Sequence, residues 1–236
     1  MRINKYLASS GLGSRRSVEK LITDGKVVVN GQKVVDLAYN VDENNDIITV
    51  DGKMVNFINQ FFYIILHKPK GCVTTVKDDK GRKTVMDFIP SSLRNIVKPV
   101  GRLDYDSEGL LLFTNDGQLA STITHPKNEI EKEYTVKIEG KIEQKDIRLL
   151  LTKGTVIDGK KVKPTAVKVV VSNDIESKLN VIIKEGKNRE IRRLFESINK
   201  NVILLKRTRI GNLKLGGLSR GKSKEISAET AYMAIR

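Results

Sequence analysis

Gly101-Arg102-Leu103-Asp104-Tyr105-Asp106-Ser107-Glu108-Gly109-Leu110-Leu111-Leu112-Phe113-Thr114-Asn115-Asp116-Gly117 is the stretch around which the chain organises itself. Side chains two apart in extended backbone point the same way, so Arg102 and Asp104 share one face of a short strand segment. Residues 110–113 are apolar without alternation, the pattern of a strand buried on both faces. Asn115-Asp116-Gly117 then reads as a turn. The arrangement sets a carboxylate at the mouth of a cleft, held by a rigid sheet. Taken alone, Asp104 equally suits a turn or capping carboxylate, or a solvated acidic loop with Asp106 and Glu108.

Working outward, residues 62–66 read as a buried strand, followed by His67-Lys68-Pro69-Lys70-Gly71, a turn rich in positive charge. Residues 100–103, 134–138, 167–171 and 180–184 also read as strands, and residues 118–123, 142–151 and 189–198 as helices. The larger part of the chain is therefore expected to be α+β, with a mixed, mainly antiparallel sheet flanked by helices. A helix begun at Asn188 puts Arg189, Arg192 and Arg193 on one face, which suits phosphates or plain solvent. Tyr134, in Glu131-Lys132-Glu133-Tyr134, would ordinarily be a core residue.

Residues 2–50 have their own pattern. Ile3, Leu7 and Ala8 give a short helical face, closed by Gly11-Leu12-Gly13. Ser14 can cap a second helix, with Val18, Leu21 and Ile22 inward and Arg15, Arg16 and Lys20 outward. Residues 27–29 and 32–35 flank Asn30-Gly31, a hairpin signal. Residues 2–33 carry seven Lys and Arg against two acids, whereas residues 36–51 carry no basic residue and five acids, so one face is offered to phosphates. The expected division is residues 1–59 and 60–236.

The 236 residues carry a formal charge of +15, and fourteen Lys and Arg against five acids fall in residues 184–236. Clustered positive charge favours a polyanion, because each neutralised phosphate releases condensed counterions. No apolar run approaches the roughly 18–20 residues of a membrane span, and no amphipathic basic helix with bulky aromatics supports membrane binding. A single cysteine, Cys72, and an N-terminus without an apolar leader fit the cytoplasm.

Three stretches together resemble pseudouridine synthases of the RsuA type: Gly101 to Gly117, Glu131-Lys132-Glu133-Tyr134-Thr135-Val136, and Glu185-Gly186-Lys187-Asn188-Arg189-Glu190-Ile191-Arg192-Arg193-Leu194-Phe195. The N-terminal part resembles the S4 RNA-binding domain through residues 2–7, Ser14-Arg15-Arg16, Leu21-Ile22, Gly25-Lys26-Val27 and Val29-Asn30-Gly31. The resemblance implies that Asp104 is the catalytic aspartate, attacking or deprotonating the ribose of a uridine while C1′–N1 breaks. The uracil then rotates and rejoins the sugar through C5. Such chemistry takes the base out of the stack. Arg102 would fill the space left behind. Tyr134 would stack on the uracil and is a candidate for removing the C5 proton. Arg192 would pair with Asp104 and keep it ionised. Arg189 and Arg193, with Arg15, Arg16 and Lys20, would hold RNA.

Pro99 to Asp104 with Gly186 to Leu194 look most like the large-subunit, RluB-like branch, which implies one uridine of 23S ribosomal RNA. A 16S target is the nearest alternative. A non-catalytic RNA-binding ribosome-assembly factor would fit the basic N-terminal part but has no need of Asp104, Tyr134 and Arg192. An RNA glycosylase or nuclease would also place a carboxylate near the ribose. Residues 216–223 match the P-loop pattern G-x-x-x-x-G-K-[ST], but thirteen following residues cannot supply the strands such a site requires, so no nucleotide is implied. Two histidines, His67 and His125, and one cysteine cannot build a zinc deaminase site. A monomer without metal or cofactor is expected.

Overall fold

The computed structural model describes residues 1–236, and the chain divides into two units: Met1–Phe61 with Pro90–Lys98, and Phe62–Ile89 with Pro99–Arg236.

In the smaller unit, α1 (Ile3–Ser9) and α2 (Arg15–Thr23) pack on a four-stranded antiparallel sheet. Its strands are β1 (Val27–Val29), β2 (Gln32–Val34), β3 (Ile48–Val50) and β4 (Lys53–Met54), in the order β2-β1-β3-β4. The Ser14 hydroxyl accepts the Ser17 amide at 3.1 Å, satisfying one of the free donors at the start of α2. Asn30 and Gly31 both take positive φ, 50° and 80°, the geometry that a two-residue hairpin turn needs. Ile3, Leu7, Val18 and Ile22 are buried against Val27, Val29 and Ile48, while Arg15, Arg16 and Lys20 are exposed. The stretch Pro90–Lys98 belongs to this unit, and the Lys98 ammonium donates to the Gly13 carbonyl at 3.3 Å. A boundary at residue 59 therefore leaves out a return segment. Its short 3₁₀ turn, Ser91–Leu93, has no periodicity to announce where it packs.

The larger unit is built on β5 (Tyr63–Lys68), β6 (Lys98–Pro99, where the chain re-enters), β7 (Glu108–Thr114), β8 (Lys132–Glu139), β9 (Thr155–Ile157), β10 (Lys160–Val162), β11 (Ala166–Ser172), β12 (Glu176–Ile183), β13 (Val202–Ile210), β14 (Leu213–Lys214) and β15 (Ser223–Glu225). Its helices are α3 (Gly117–Thr124), α4 (Gln144–Thr152), α5 (Glu190–Glu196) and α6 (Ala228–Tyr232). The main sheet runs β11-β12-β8-β13-β7-β5-β15, and every neighbouring pair is antiparallel except β13 with β7. It is the mixed, mainly antiparallel sheet expected. β9 and β10 form a separate hairpin.

β7 is an interior strand, between β13 and β5, and all seven of its residues are buried. Leu110, Leu111, Leu112 and Phe113 are completely inaccessible, which is why this run is apolar without alternation. Each such side chain contributes about 1.5–3 kcal/mol from burial. At its end Asp116 does more than turn the chain: one carboxylate oxygen accepts the Gln118 and Leu119 amides, both at 3.0 Å, and so caps α3. The other accepts the hydroxyls of Tyr63 (3.1 Å) and Tyr232 (2.9 Å), tying β5 and α6 to the same point.

Two local expectations change. Residues 100–103 are irregular, not a strand, because Gly101 turns at φ 75° and the chain folds back through Tyr105 and Asp106, with the Ser107 amide on the Asp104 carbonyl at 3.1 Å. The helix expected from Asn188 begins at Glu190, because Arg189 takes a left-handed conformation at φ 50°. The P-loop-like stretch of residues 216–223 joins β14 to edge strand β15. No helix follows it directly, so it is a structural turn.

Candidate active site

The turn carrying Asp104 is held from below by a lysine that the sequence suggested was a turn charge. Lys68 ends β5 fully buried, and its ammonium donates to the carbonyls of Asp104 (2.9 Å), Ser107 (2.8 Å) and Pro69 (3.2 Å). Burial pulls its pKa down, while Cys72, Asp104 and Asp106 pull it back up. On the outer side, the Thr74 hydroxyl donates to the Leu103 carbonyl at 2.6 Å, and the Gly71 amide to the Tyr105 carbonyl at 2.8 Å. A buried cation saturated by main-chain carbonyls fixes a loop without occupying its side chains. Asp104 itself is half-buried and lines a cavity of about 320 Å³, within the range of small-molecule clefts (about 300–1,000 Å³).

Arg192 is buried, but its partner is Asp106, with Nη2 3.0 Å from Oδ2. It also donates to the carbonyls of Val202 (2.8 Å) and Asp106 (3.2 Å). The expected ion pair with Asp104 is not formed. The reason is the course of the turn: folding back through Tyr105 brings Asp106, not Asp104, onto α5. Arg192 thus clamps the turn from one side while Lys68 holds it from the other.

The remaining expected residues separate by location. Arg102, exposed, and Arg189 line the cavity with Asp104. Arg189 also lies 3.5 Å from Asp106. Arg193 points away to the β9–β10 turn, 3.4 Å from Asp158, so Arg189, Arg192 and Arg193 do not share a face. Arg15, Arg16 and Lys20 are solvent-exposed on α2 of the smaller unit. Tyr134 is buried in the wall of the cavity, and burial pushes its phenol up. The hydroxyl therefore keeps its proton at neutral pH, and the neutral phenol is a weak base.

Three more cavity residues escaped the sequence reading. Lys132 shares the Tyr134 face of β8, two residues away. Its ammonium donates to the Ile130 carbonyl at 2.9 Å, and burial, with Arg207 nearby, lowers its pKa to about 8. Glu190 is buried, and its carboxylate accepts the Lys187 amide at 2.8 Å. Loss of solvent raises its pKa. Arg207 pairs across the strands with Tyr134 and is almost wholly buried. The i, i+2 relation of Lys132 to Tyr134 was available as a signal. Arg207 was one of many Lys and Arg in the C-terminal quarter, with nothing local to single it out.

A half-buried carboxylate on a turn held by Lys68 and Arg192, in a cavity lined by Tyr134 and several cations, has the makings of a nucleophile or base for an anionic substrate. The sequence profile of RNA pseudouridylate synthases matches residues 62–197, and that of the S4 domain matches residues 1–48. The chain belongs to the RNA pseudouridine synthase family, with an S4 domain at its N-terminus. It is 42% identical over 229 residues to the ribosomal large subunit pseudouridine synthase B of Bacillus subtilis, covering 96% of this chain and 92% of the relative. An uncharacterized RNA pseudouridine synthase of Aquifex aeolicus is 40% identical, covering 96% and 90%. The crystal structure of a pseudouridylate synthase superposes with a TM-score of 0.68 at 27% identity, covering 99% of each chain.

Proposed function

We propose that this protein converts one uridine of large-subunit ribosomal RNA to pseudouridine, with Asp104 as the catalytic residue. The observation that carries the reading is the placement of Asp104 at the cavity, on a turn fixed by Lys68 and Arg192 while its own carboxylate has no ion-pair partner. A carboxylate held in place but not neutralised is free to attack C1′ or to take a ribose proton. Tyr134 supplies a wall on which an extruded uracil stacks. Arg102 and Arg189, at the rim, meet the displaced strand and its phosphates. The net change is an isomerisation: C1′–N1 is replaced by C1′–C5, C5 sheds a proton, and N1 gains one.

The smaller unit, with Arg15, Arg16 and Lys20 exposed on α2, serves as the RNA-holding module. Relatives named for the large subunit favour 23S over 16S RNA as the target. Mapping pseudouridine in both rRNAs from cells with and without the gene tests this. The expected result is one uridine of 23S RNA that stays unmodified when the gene is absent. Loss of a 16S pseudouridine instead would reassign the substrate, and loss of none would overturn the function.

A further inference from the structure

Arg207 has no part in the steps assigned to Asp104 and Tyr134, yet it lines the same cavity and is 3% exposed, in the middle of the sheet. Its Nε donates to the Leu110 carbonyl at 2.8 Å. Its Nη2 is buried with no hydrogen-bond partner, and no carboxylate lies within ion-pair distance of the guanidinium. The guanidinium also hydrogen-bonds the Tyr134 phenol, but that neutral partner does not cancel its charge, and a buried charge with one unmet donor and no carboxylate is costly unless a negative group arrives to use it. The backbone is also shaped around it. β7 passes so close that a Cβ on Gly109 would lie 2.2 Å from the Arg207 carbonyl oxygen and 2.5 Å from its nitrogen, and Gly109 sits at φ 115°. The glycine of the Ser107-Glu108-Gly109-Leu110-Leu111 motif is thus the one that lets β7 run beside Arg207.

When C1′–N1 breaks, its electron pair leaves with the ring, and the uracil becomes an anion with charge spread over N1, O2 and O4. The sugar is balanced by Asp104, through a bond to C1′ or removal of the 2′ proton. The pair returns when C5 bonds to C1′. We propose that Arg207 is the cation that stabilises the detached uracil anion while it turns above Tyr134. This inference rests on the pseudouridine synthase reading of the cavity. A fixed cation in a water-poor site stabilises charge that develops only during the reaction, so it raises kcat more than it tightens binding. Tyr134 feels the same charge, since Arg207 opposes the upward push of burial on its phenol.

The test compares wild type with Arg207→Lys and Arg207→Gln on a stem-loop carrying the modified position, made with uridine or with 5-fluorouridine. Fluorine withdraws electrons and makes the departing ring a more stable anion by itself. Nucleoside analysis reads loss of the target residue. On uridine, Arg207→Gln should lose about 10²–10³-fold in kcat with KM within about threefold, and Arg207→Lys should recover part of it. On 5-fluorouridine the defect should shrink by about tenfold. An equal defect on both substrates, or a loss confined to KM, would make Arg207 a packing residue and overturn the proposal. If Arg207→Gln melts early, the same comparison in Arg207→Lys decides. Inactive wild type on every uridine substrate would instead refute the underlying reading.

Discussion

Asp104 was legible from its motif as the candidate residue, whereas the residues that hold its turn were not, because they act on its main chain. Lys68 looked like one charge among several in a turn, yet its ammonium is committed to three carbonyls, two of them in the Asp104 turn. Lys68→Met should leave those acceptors unmet, at a cost of about 1–3 kcal/mol each, lower the melting temperature, and reduce kcat more than RNA affinity. Thermal melts with single-turnover rates check this. Arg192 could be found from sequence, but its partner could not, since a turn that brings Asp106 onto α5 is a property of backbone path. Lys132 makes a pH prediction. Its pKa is about 8 in the folded chain against 10.5 when unfolded, so the unfolded chain binds more protons between these values. Stability should therefore gain a rising contribution from pH 8 towards 10.5, and Lys132→Met should remove it. Denaturant midpoints of both proteins from pH 7 to 10.5 would show parallel curves if the lysine were ordinary.

At the scale of elements, what the chain announced clearly was periodicity and turn chemistry. The Asn30-Gly31 hairpin, the Ser14 cap and the buried β7 all follow from local rules. The irregular 100–103 segment and the late start of α5 did not, because positive-φ residues at Gly101 and Arg189 override a pattern that otherwise continues. Asp116 shows how one capping residue becomes a junction. Burial first, and the Asp116 carboxylate second, push the Tyr63 phenol up to about 12, so both tyrosine donors stay protonated and bonded. Complete burial makes β7 a sensitive strand. Leu111→Ala should destabilise the larger unit by about 2–5 kcal/mol, read from chemical denaturation, and a value under about 1 kcal/mol would mean that the strand is not the core.

For the whole molecule, charge and motif told of an RNA-binding module joined to a catalytic one, but not that Pro90–Lys98 returns to the smaller unit. Deleting residues 1–58 therefore removes Arg15, Arg16 and Lys20 and also strands that segment. The slope of log K against log salt should fall by about 0.7–0.9 for each phosphate no longer neutralised, with a residual rate at high concentrations of a short stem-loop. An unchanged slope would mean that the smaller unit does not touch RNA. Whether Asp104 performs the isomerisation is decided by tritium release from RNA labelled at uridine C5, measured for wild type and Asp104→Asn alongside RNA binding by gel shift. The amide keeps the shape but loses both nucleophilicity and basicity. Wild type should release one tritium per RNA, and Asp104→Asn should bind RNA about as well while releasing none. Turnover by Asp104→Asn would rule this carboxylate out as the catalytic group.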